Sequence, residues 1–372
     1  MIKNNLNLKK IGKTIQNTAL YGGLQKEEYL SILPDILQKN RGSLRLSAGM
    51  CAVMFLGLLI SSLFSDLLAQ AQIFYGVMAL GSGFICAMTF TEKTNRRSIV
   101  WCLWYLLYLM FGSYAVALNT LIRPELSAVT LCVFLTAGPL LIVDRPVRIL
   151  GLQTLLCLEY ILLAKQMKDP YLAFADSVNM VCCVFLGFGV YIRLNHVNLR
   201  QALQAQHLRV ERDTDKLTGL LNKSAIEEQV KAQLAQPHSH GALVIFDIDN
   251  FKHINDTYGH IFGDRVIHQV AACIRDTMPE GSLCGRFGGD EFLILLPDIG
   301  EEELANRLDA LLRRGAESIM LPLSEDPFGM SIGAVFYPAG DKKFAGLLQM
   351  ADAAMYEVKK AEKNGWKIAN GI

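Results

Sequence analysis

Histidine is missing from the first 195 residues of the chain; all seven lie between His196 and His268. A bis-histidine haem or an imidazole-based metal centre is thereby excluded from that stretch. Charge is scarce as well. Only 19% of the residues are Asp, Glu, Lys or Arg and the net charge is +1, so the basic excess that nucleic-acid phosphates call for is absent. No nucleic-acid partner is expected. Paired cysteines are lacking too. Cys51, Cys86, Cys102, Cys132, Cys157, Cys182 and Cys183 sit in apolar runs, where a thiol behaves as a small hydrophobe, and Cys273 and Cys284 have neither CxxC spacing nor a nearby His partner. Neither a disulfide framework nor a zinc site is predicted. No cleavable leader is predicted either: Lys3, Lys9, Lys10 and Lys13 open the chain, but the first long apolar run starts only near Leu44. The chain is expected to keep its N-terminus.

What is abundant is apolar: 52% of the 372 residues are hydrophobic and the mean hydropathy is +0.28, too much for an ordinary soluble protein. Between about Leu44 and Leu194, apolar runs of near-spanning length follow one another, roughly Leu46–Phe64, Ala71–Phe90, Ile99–Leu118, Ala128–Val143, Ile149–Ala164 and Tyr171–Tyr191. An all-α transmembrane bundle of about six helices is predicted, the fourth and fifth runs being short. Cations cluster before the first run (Lys26, Lys39, Arg41, Arg45), in the second loop (Lys93, Arg96, Arg97), in the fourth (Arg145, Arg148) and after the last run (Arg193, Arg200). The first loop, around Asp66, has none and the third only Arg123, while Lys165 and Lys168 run against the trend. The excess of cations on one side places both termini in the cytoplasm. Glu159 and Asp176 are acids within apolar runs, which are costly there. Either they hydrogen-bond neighbours such as Tyr160, Ser177 or Asn179, or they line an outward pocket for a small cationic or polar signal molecule. A passive anchor is the plainer role for the bundle.

From Leu194 to Arg212 the chain is polar and helix-favouring, with Ile192, Leu199, Leu203, Val210 and Leu217 at roughly heptad spacing and His196 and Gln206 at seam positions. A short parallel coiled coil is predicted, a solvated linker helix being the alternative. Beyond Asp213 the composition turns globular. Ala242–Phe246 reads as a buried strand, Gly263–Met278 as an amphipathic helix, Leu283–Phe287 and Phe292–Leu296 as strands about a Gly-Gly turn, Met330–Phe336 as a strand and Phe344 to about Lys363 as a helix. A mixed α/β domain follows.

Its first strand ends in Phe246-Asp247-Ile248-Asp249-Asn250-Phe251-Lys252, delivering carboxylates to a sheet edge where α/β folds place ligands. Alternation puts Asp247 and Asp249 on one face. For an isolated Asp-x-Asp, a strand closed by an Asp turn is the plainer reading. The second element is Arg286-Phe287-Gly288-Gly289-Asp290-Glu291-Phe292 between apolar strands. Two glycines permit a tight hairpin and close approach to a phosphate, and two acids at its tip beside Asp-x-Asp suggest a Mg2+ site, since Mg2+ takes one or two carboxylates plus substrate phosphates.

Here the chain resembles the GGDEF-domain diguanylate cyclases. The similarity begins at Asp215-Lys216-Leu217-Thr218-Gly219-Leu220-Leu221-Asn222, with Lys223 where Arg is usual. It continues through Asp247–Lys252, Asn255-Asp256-Thr257-Tyr258-Gly259-His260, Gly263-Asp264, Gly288–Phe292, Ser331-Ile332-Gly333, Ala351-Asp352 and Tyr356–Lys359. The resemblance implies a palm-like α+β cyclase domain that joins two GTP into cyclic di-GMP as a homodimer. It further implies that Asp247, the Ile248 carbonyl, Asp290 and Glu291 hold Mg2+ or Mn2+, and that Asp290 is the base for the 3′-hydroxyl. Lys252 would steady the phosphates, Asn255 and Asp264 would read guanine, His260 would contact substrate, Gly288 and Gly289 would line the nucleotide, and Lys359 and Lys363 would meet phosphate.

Two departures stand out. The family's product-inhibition motif, Arg-x-x-Asp, is replaced by Pro279-Glu280-Gly281-Ser282, so no such brake is expected, and Lys363 stands for an Arg, keeping charge but losing the bidentate fork. Asp264, where a relative using ATP has Ser, points to GTP alone. The predicted layout is a cytoplasmic segment at 1–43, a membrane sensor or anchor at 44–194, a linker helix at 195–214 and a cyclase at 215–372, in a bacterial inner membrane. A catalytically silent GTP-binding scaffold is the alternative, and a transporter with a regulatory domain is disfavoured by the absence of internal repeats.

Overall fold

The computed structural model describes residues 2–91, 97–322, 328–337, 343–361 and 363–369, with side chains from residue 12 onward and excluding Arg97. Lys93 and Arg96, expected to mark a cytoplasmic loop, lie outside the described residues. Contacts divide the chain into two units, Met1–His207 and Leu208–Ile372.

The first unit is helical: α1 (Ile2–Tyr21), α2 (Lys26–Ser31), α3 (Leu33–Ser61), α4 (Asp66–Ala69), α5 (Gln72–Met88), α6 (Arg97–Ala117), α7 (Val129–Ala137), α8 (Pro146–Met167) and the start of α9 (Pro170–Asp213). A π turn, Leu118–Ile122, extends α6, and a 3₁₀ turn, Gly138–Leu141, follows α7. Proline opens α8 in the first helical turn, where its missing N–H costs nothing. All six apolar runs are largely helical, and among the described residues four helices are long and apolar enough to cross a membrane. Gln72–Met88 and Val129–Leu141 fall short of the roughly 20 residues a span needs. Leu46, Val53, Leu80 and Phe185 are among many large apolar side chains turned outward, a surface compatible with a lipid environment. Helix α9 lies so close to α7 that a β-carbon on Gly187 would meet Leu135 O at 2.7 Å, the small-residue packing that helices use where no hydrophobic effect drives them together.

Two polar knots hold this unit. In one, Lys168, which ran against the charge trend, is buried with its ammonium 2.8 Å from Asp176 Oδ2 and donating to Leu126 O at 2.6 Å and Asn119 O at 3.2 Å. Tyr160 also donates to Asp176, at 2.8 Å. Asp176 is thus a buried charge paired with Lys168 and Tyr160, and Glu159 accepts from Ser113 Oγ at 3.2 Å. The other knot surrounds the α7–α8 loop. Asn40 of α3 donates to Val143 O at 2.8 Å and accepts from Val143 N at 3.0 Å, while Tyr191 and Asn195 of α9 donate to Asp144 O at 2.8 and 3.1 Å. Tyr105 donates to the Asp144 carboxylate.

Part of the N-terminal segment, predicted to be cytoplasmic, folds onto α9. Leu24, Tyr29 and Ile32 share an apolar cluster with Leu199 and Leu203, and Gly22 O lies 2.9 Å from His196 Nδ1. The expected coiled-coil seam is therefore occupied, at His196, Leu199 and Leu203, by the chain's own residues.

The second unit is a five-stranded sheet ordered β2-β3-β1-β4-β5, from β1 (Gly241–Ile248), β2 (Leu283–Arg286), β3 (Glu291–Pro297), β4 (Met330–Tyr337) and β5 (Gly365–Ala369). Only β4 and β5 run parallel. Central β1 is buried on both faces. Val244 and Phe246 pack with α11 (Phe251–Tyr258), α12 (His260–Thr277) and α13 (Glu301–Ser318), and Leu243 and Ile245 with α10 (Lys223–Leu234) and α14 (Phe344–Lys360). Gly333 lets α14 lie directly on the sheet: a β-carbon there would collide with the Ala351 carbonyl.

Candidate active site

The register of β1 decides what meets at its end. Asp247 stands opposite Glu291 of β3 and Ser331 of β4, so the acids of the β2–β3 hairpin are brought beside the strand carboxylate. Ile248 N donates to Asp290 O at 3.3 Å, pinning the hairpin tip to the strand end. Burial pushes the Asp247 carboxyl upward, the Lys359 ammonium 3.0 Å away pulls it down, and the charges of Asp290 and Glu291 push it up again; the net shift is upward. Asp249, the other acid of the pair, is engaged elsewhere. It accepts from Ser331 Oγ at 2.7 Å and Asn364 N at 2.9 Å, tying β1, β4 and the approach to β5 together.

The hairpin glycines work by space, not by backbone handedness, since neither Gly288 nor Gly289 has a positive φ. A β-carbon on Gly288 would sit 2.6 Å from Glu291 Oε2, whereas one on Gly289 would meet nothing within 4 Å, leaving that backbone open. Phe287 N and Gly288 N both donate to Glu291 O, at 2.8 and 3.2 Å, and close the turn.

Helix α11 starts three residues beyond β1, after Asn250 in the left-handed region at φ 57°, and carries exposed Lys252 and half-buried Asn255. His260 and Asp264 are exposed in the first turns of α12. Gly263 is buried between them, with Asn255 Oδ1 filling the place of its β-carbon, which sets Asn255 against the backbone that leads into Asp264. Lys363 donates to Asn250 Oδ1 at 2.8 Å. The structure thus joins Asp247, Asp290, Glu291 and Lys359, and joins Asn255 to the Gly263-Asp264 turn.

Among the described residues, no three His, Cys, Asp or Glu side chains form a ready-made metal cage. The donor set still suits a hard cation that needs few protein carboxylates and brings phosphate oxygens with it.

The family model described as "Diguanylate cyclase, GGDEF domain" matches residues 212–365. Residues 212–365 are a GGDEF domain. Diguanylate cyclase DgcP of Pseudomonas aeruginosa is 32% identical over 160 residues, covering 42% of this chain and 24% of that protein. Cyclic di-GMP phosphodiesterase PdeR of Escherichia coli is 28% identical over 173 residues, covering 46% of this chain and 26% of that protein. The chain therefore spans about a quarter of the length of these relatives. The crystal structure of the GGDEF domain of DgcB from Caulobacter crescentus in complex with c-di-GMP is 28% identical, with a TM-score of 0.40, covering 43% of this chain and 96% of that one.

Within this GGDEF domain, one pair had been given no role from sequence. Arg286 donates to Gly289 O at 3.1 and 2.7 Å and reaches Asp215 at 3.4 and 3.3 Å. Asp215 in turn accepts from Thr218 N at 2.9 Å and Thr218 Oγ1 at 2.7 Å. Burial alone would raise the Asp215 carboxyl, but the Thr218 bonds and the Arg286 charge outweigh it and hold it below the ordinary range. The opening motif and the signature are therefore two halves of one brace. Their separation by 71 residues hid this, although opposite charges in two recognisable motifs were the available signal.

Proposed function

We propose that the chain is a membrane-bound diguanylate cyclase that condenses two GTP into cyclic di-GMP and two pyrophosphates. The single observation that carries this reading is the intact Gly288–Phe292 hairpin with Asp290 and Glu291 set beside Asp247. Asn255 and Asp264 bind guanine, the amide and carboxylate matching its N–H donors and ring acceptor. The open Gly289 backbone and Gly288 admit the phosphates, and Lys252, Lys359 and Lys363 supply positive charge to them. His260 contacts the substrate. Asp290 takes the proton from the 3′-hydroxyl as that oxygen bonds the α-phosphorus of the second GTP and the bond to pyrophosphate breaks. Asp247, the Ile248 carbonyl, Asp290 and Glu291 would hold Mg2+ or Mn2+, which when bound offsets the charge developing on the phosphates.

One domain holds one GTP, so two copies must face each other. Helices α3, α6, α8 and α9 are long enough to cross a bacterial inner membrane and the shorter α5 and α7 bring the proposed crossings to about six, with the N-terminus and the cyclase in the cytoplasm, and the bundle responds to a small-molecule or membrane signal. The silent-scaffold reading loses support because every acid of the signature is present.

Purified protein with GTP and Mg2+, resolved by product chromatography, is the test. Cyclic di-GMP is expected from wild type and not from Asp290→Ala or Glu291→Ala; no product from wild type would sink the reading. Incorporation of labelled ATP equal to that of GTP would overturn the assignment to Asp264, and tight cyclic di-GMP binding with the active site blocked would overturn the missing brake.

A further inference from the structure

The linker part of α9 carries a heptad seam at His196, Leu199, Leu203 and Gln206, continued by Val210, and a parallel second helix would be met at these positions. Each of the first four is engaged within the first unit. His196 Nδ1 lies 2.9 Å from Gly22 O, and Gln206 Oε1 accepts from Ser31 Oγ at 3.1 Å. Leu199 is 0% exposed and Leu203 is 8% exposed, in the cluster that holds Leu24, Tyr29 and Ile32. Just off the seam, Lys39 Nζ donates to Asn198 Oδ1 at 2.7 Å. Val210, beyond the reach of these contacts, is 59% exposed.

We propose that residues 22–31 are an internal stand-in for a second linker helix, and that their withdrawal opens the seam at His196, Leu199, Leu203 and Gln206 to a second copy of this chain. The occupant is a second copy because the seam repeats at coiled-coil spacing, which a second α9 matches along its whole length. This rests on the cyclase reading, in which pairing is obligatory, and makes the N-terminal segment a brake on pairing.

The segment is built to let go. Its tip is the pair Gly22 and Gly23 at φ 60° and 92°, where side chains are disfavoured. A β-carbon on Gly22 would collide with Leu199 Cδ1, and one on Gly23 would sit 2.8 Å from His196 Nδ1. Only glycine lets the turn seat against α9. The bonds from Ser31 and Lys39 are exposed, where water competes with them effectively. Leucines at seam positions are covered equally well by the knobs of a facing helix.

The experiment uses the full-length protein in detergent, with light scattering for mass and cyclic di-GMP synthesis for activity. Gly22→Val pushes the tip off Leu199 and is expected to shift a mainly monomeric wild type to dimer, with synthesis up about tenfold if the dimer population rises by that factor. Ser31→Ala with Lys39→Met, both exposed and clear of the apolar cluster, is expected to move mass and synthesis the same way by about two- to threefold. A wild type already dimeric, or a dimer fraction unchanged or lowered in both variants, overturns the proposal. A rise in dimer with no cyclic di-GMP from any form leaves the brake standing and removes the cyclase reading instead.

Discussion

Replacing Arg286 by Lys isolates the brace between the opening motif and the signature turn. The guanidinium serves Gly289 O with two N–H groups while facing both Asp215 oxygens, a task for a planar fork that a single ammonium cannot repeat. Side chains of the pair are 19% and 21% exposed, and the contacts to Asp215 are long, so the full value of charged hydrogen bonds does not apply. About 1–2 kcal/mol of stability is the expected loss. For a domain of this size that lowers the melting temperature by roughly 3–8 °C. The effect on rate should be larger, because Asp290, the proposed base, directly follows the carbonyl being held, and a reacting group displaced by about 1 Å costs up to roughly 100-fold. Initial rates at 25 °C, well below melting, are expected to show kcat reduced about 10- to 100-fold with KM for GTP changed less than about threefold. Asp215→Asn should show a weaker form of the same defect, and the double variant should be no worse than the single Arg286→Lys, since both break one contact. Arg286→Lys with rate within twofold of wild type, or losses that add, would refute the brace.

Asp215 also gives a pH signature. Its carboxyl is depressed in the fold, so its stabilisation is present above the unfolded value of about 3.9 and disappears as pH falls through the lower folded value. The melting gap between wild type and Asp215→Asn should hold at pH 7 and pH 5 and close in stronger acid, as calorimetry of the soluble domain variants would register. Lys168→Met leaves Asp176 charged and buried and should cost about 3–5 kcal/mol, while adding Asp176→Leu should restore part of it, measured by thermal unfolding in detergent. Gly263→Ala should raise KM for GTP roughly tenfold by displacing Asn255 while leaving the melting temperature level or higher, because Ala favours the helix. A lowered melting temperature with normal KM would count against the place given to Asn255.

The strands and helices of the GGDEF half were legible because its periodicities are strong and its motifs sit at their ends. β1 came out two residues longer at its C-terminal end than its apolar core suggested, since Asp247 and Ile248 keep pairing after the hydrophobic alternation stops. Motif spelling located the acids and the tight hairpin but not the room that Gly288 yields to Glu291, a contact that no local rule of turn conformation reveals. In the helical half, sequence identified the apolar runs and offered Tyr160 as a partner for a buried acid, which Asp176 bears out, but it did not find Lys168 beside it. A heptad at Leu199 and Leu203 says that one face is apolar, not which chain covers it. Lys168 and Asp176 read as unrelated anomalies because the break at Asp169-Pro170 separates their helices and no periodicity spans it. The seating of residues 22–31 on α9 depends on Gly22 and Gly23 together, and neither glycine is conspicuous in a polar segment.

The α7–α8 loop is held mostly through its main chain. Asn40 takes both peptide groups of Val143, and Tyr191 and Asn195 share the carbonyl of Asp144, so the side chain at 143 contributes nothing to these bonds. Such a joint tolerates drift where it is gripped and not where it grips. A library randomised at residue 143 among apolar residues should return many working proteins, whereas one randomised at Asn40 should return few. Comparison of distant relatives at the loop itself would then understate how tightly α9 is tied to the bundle.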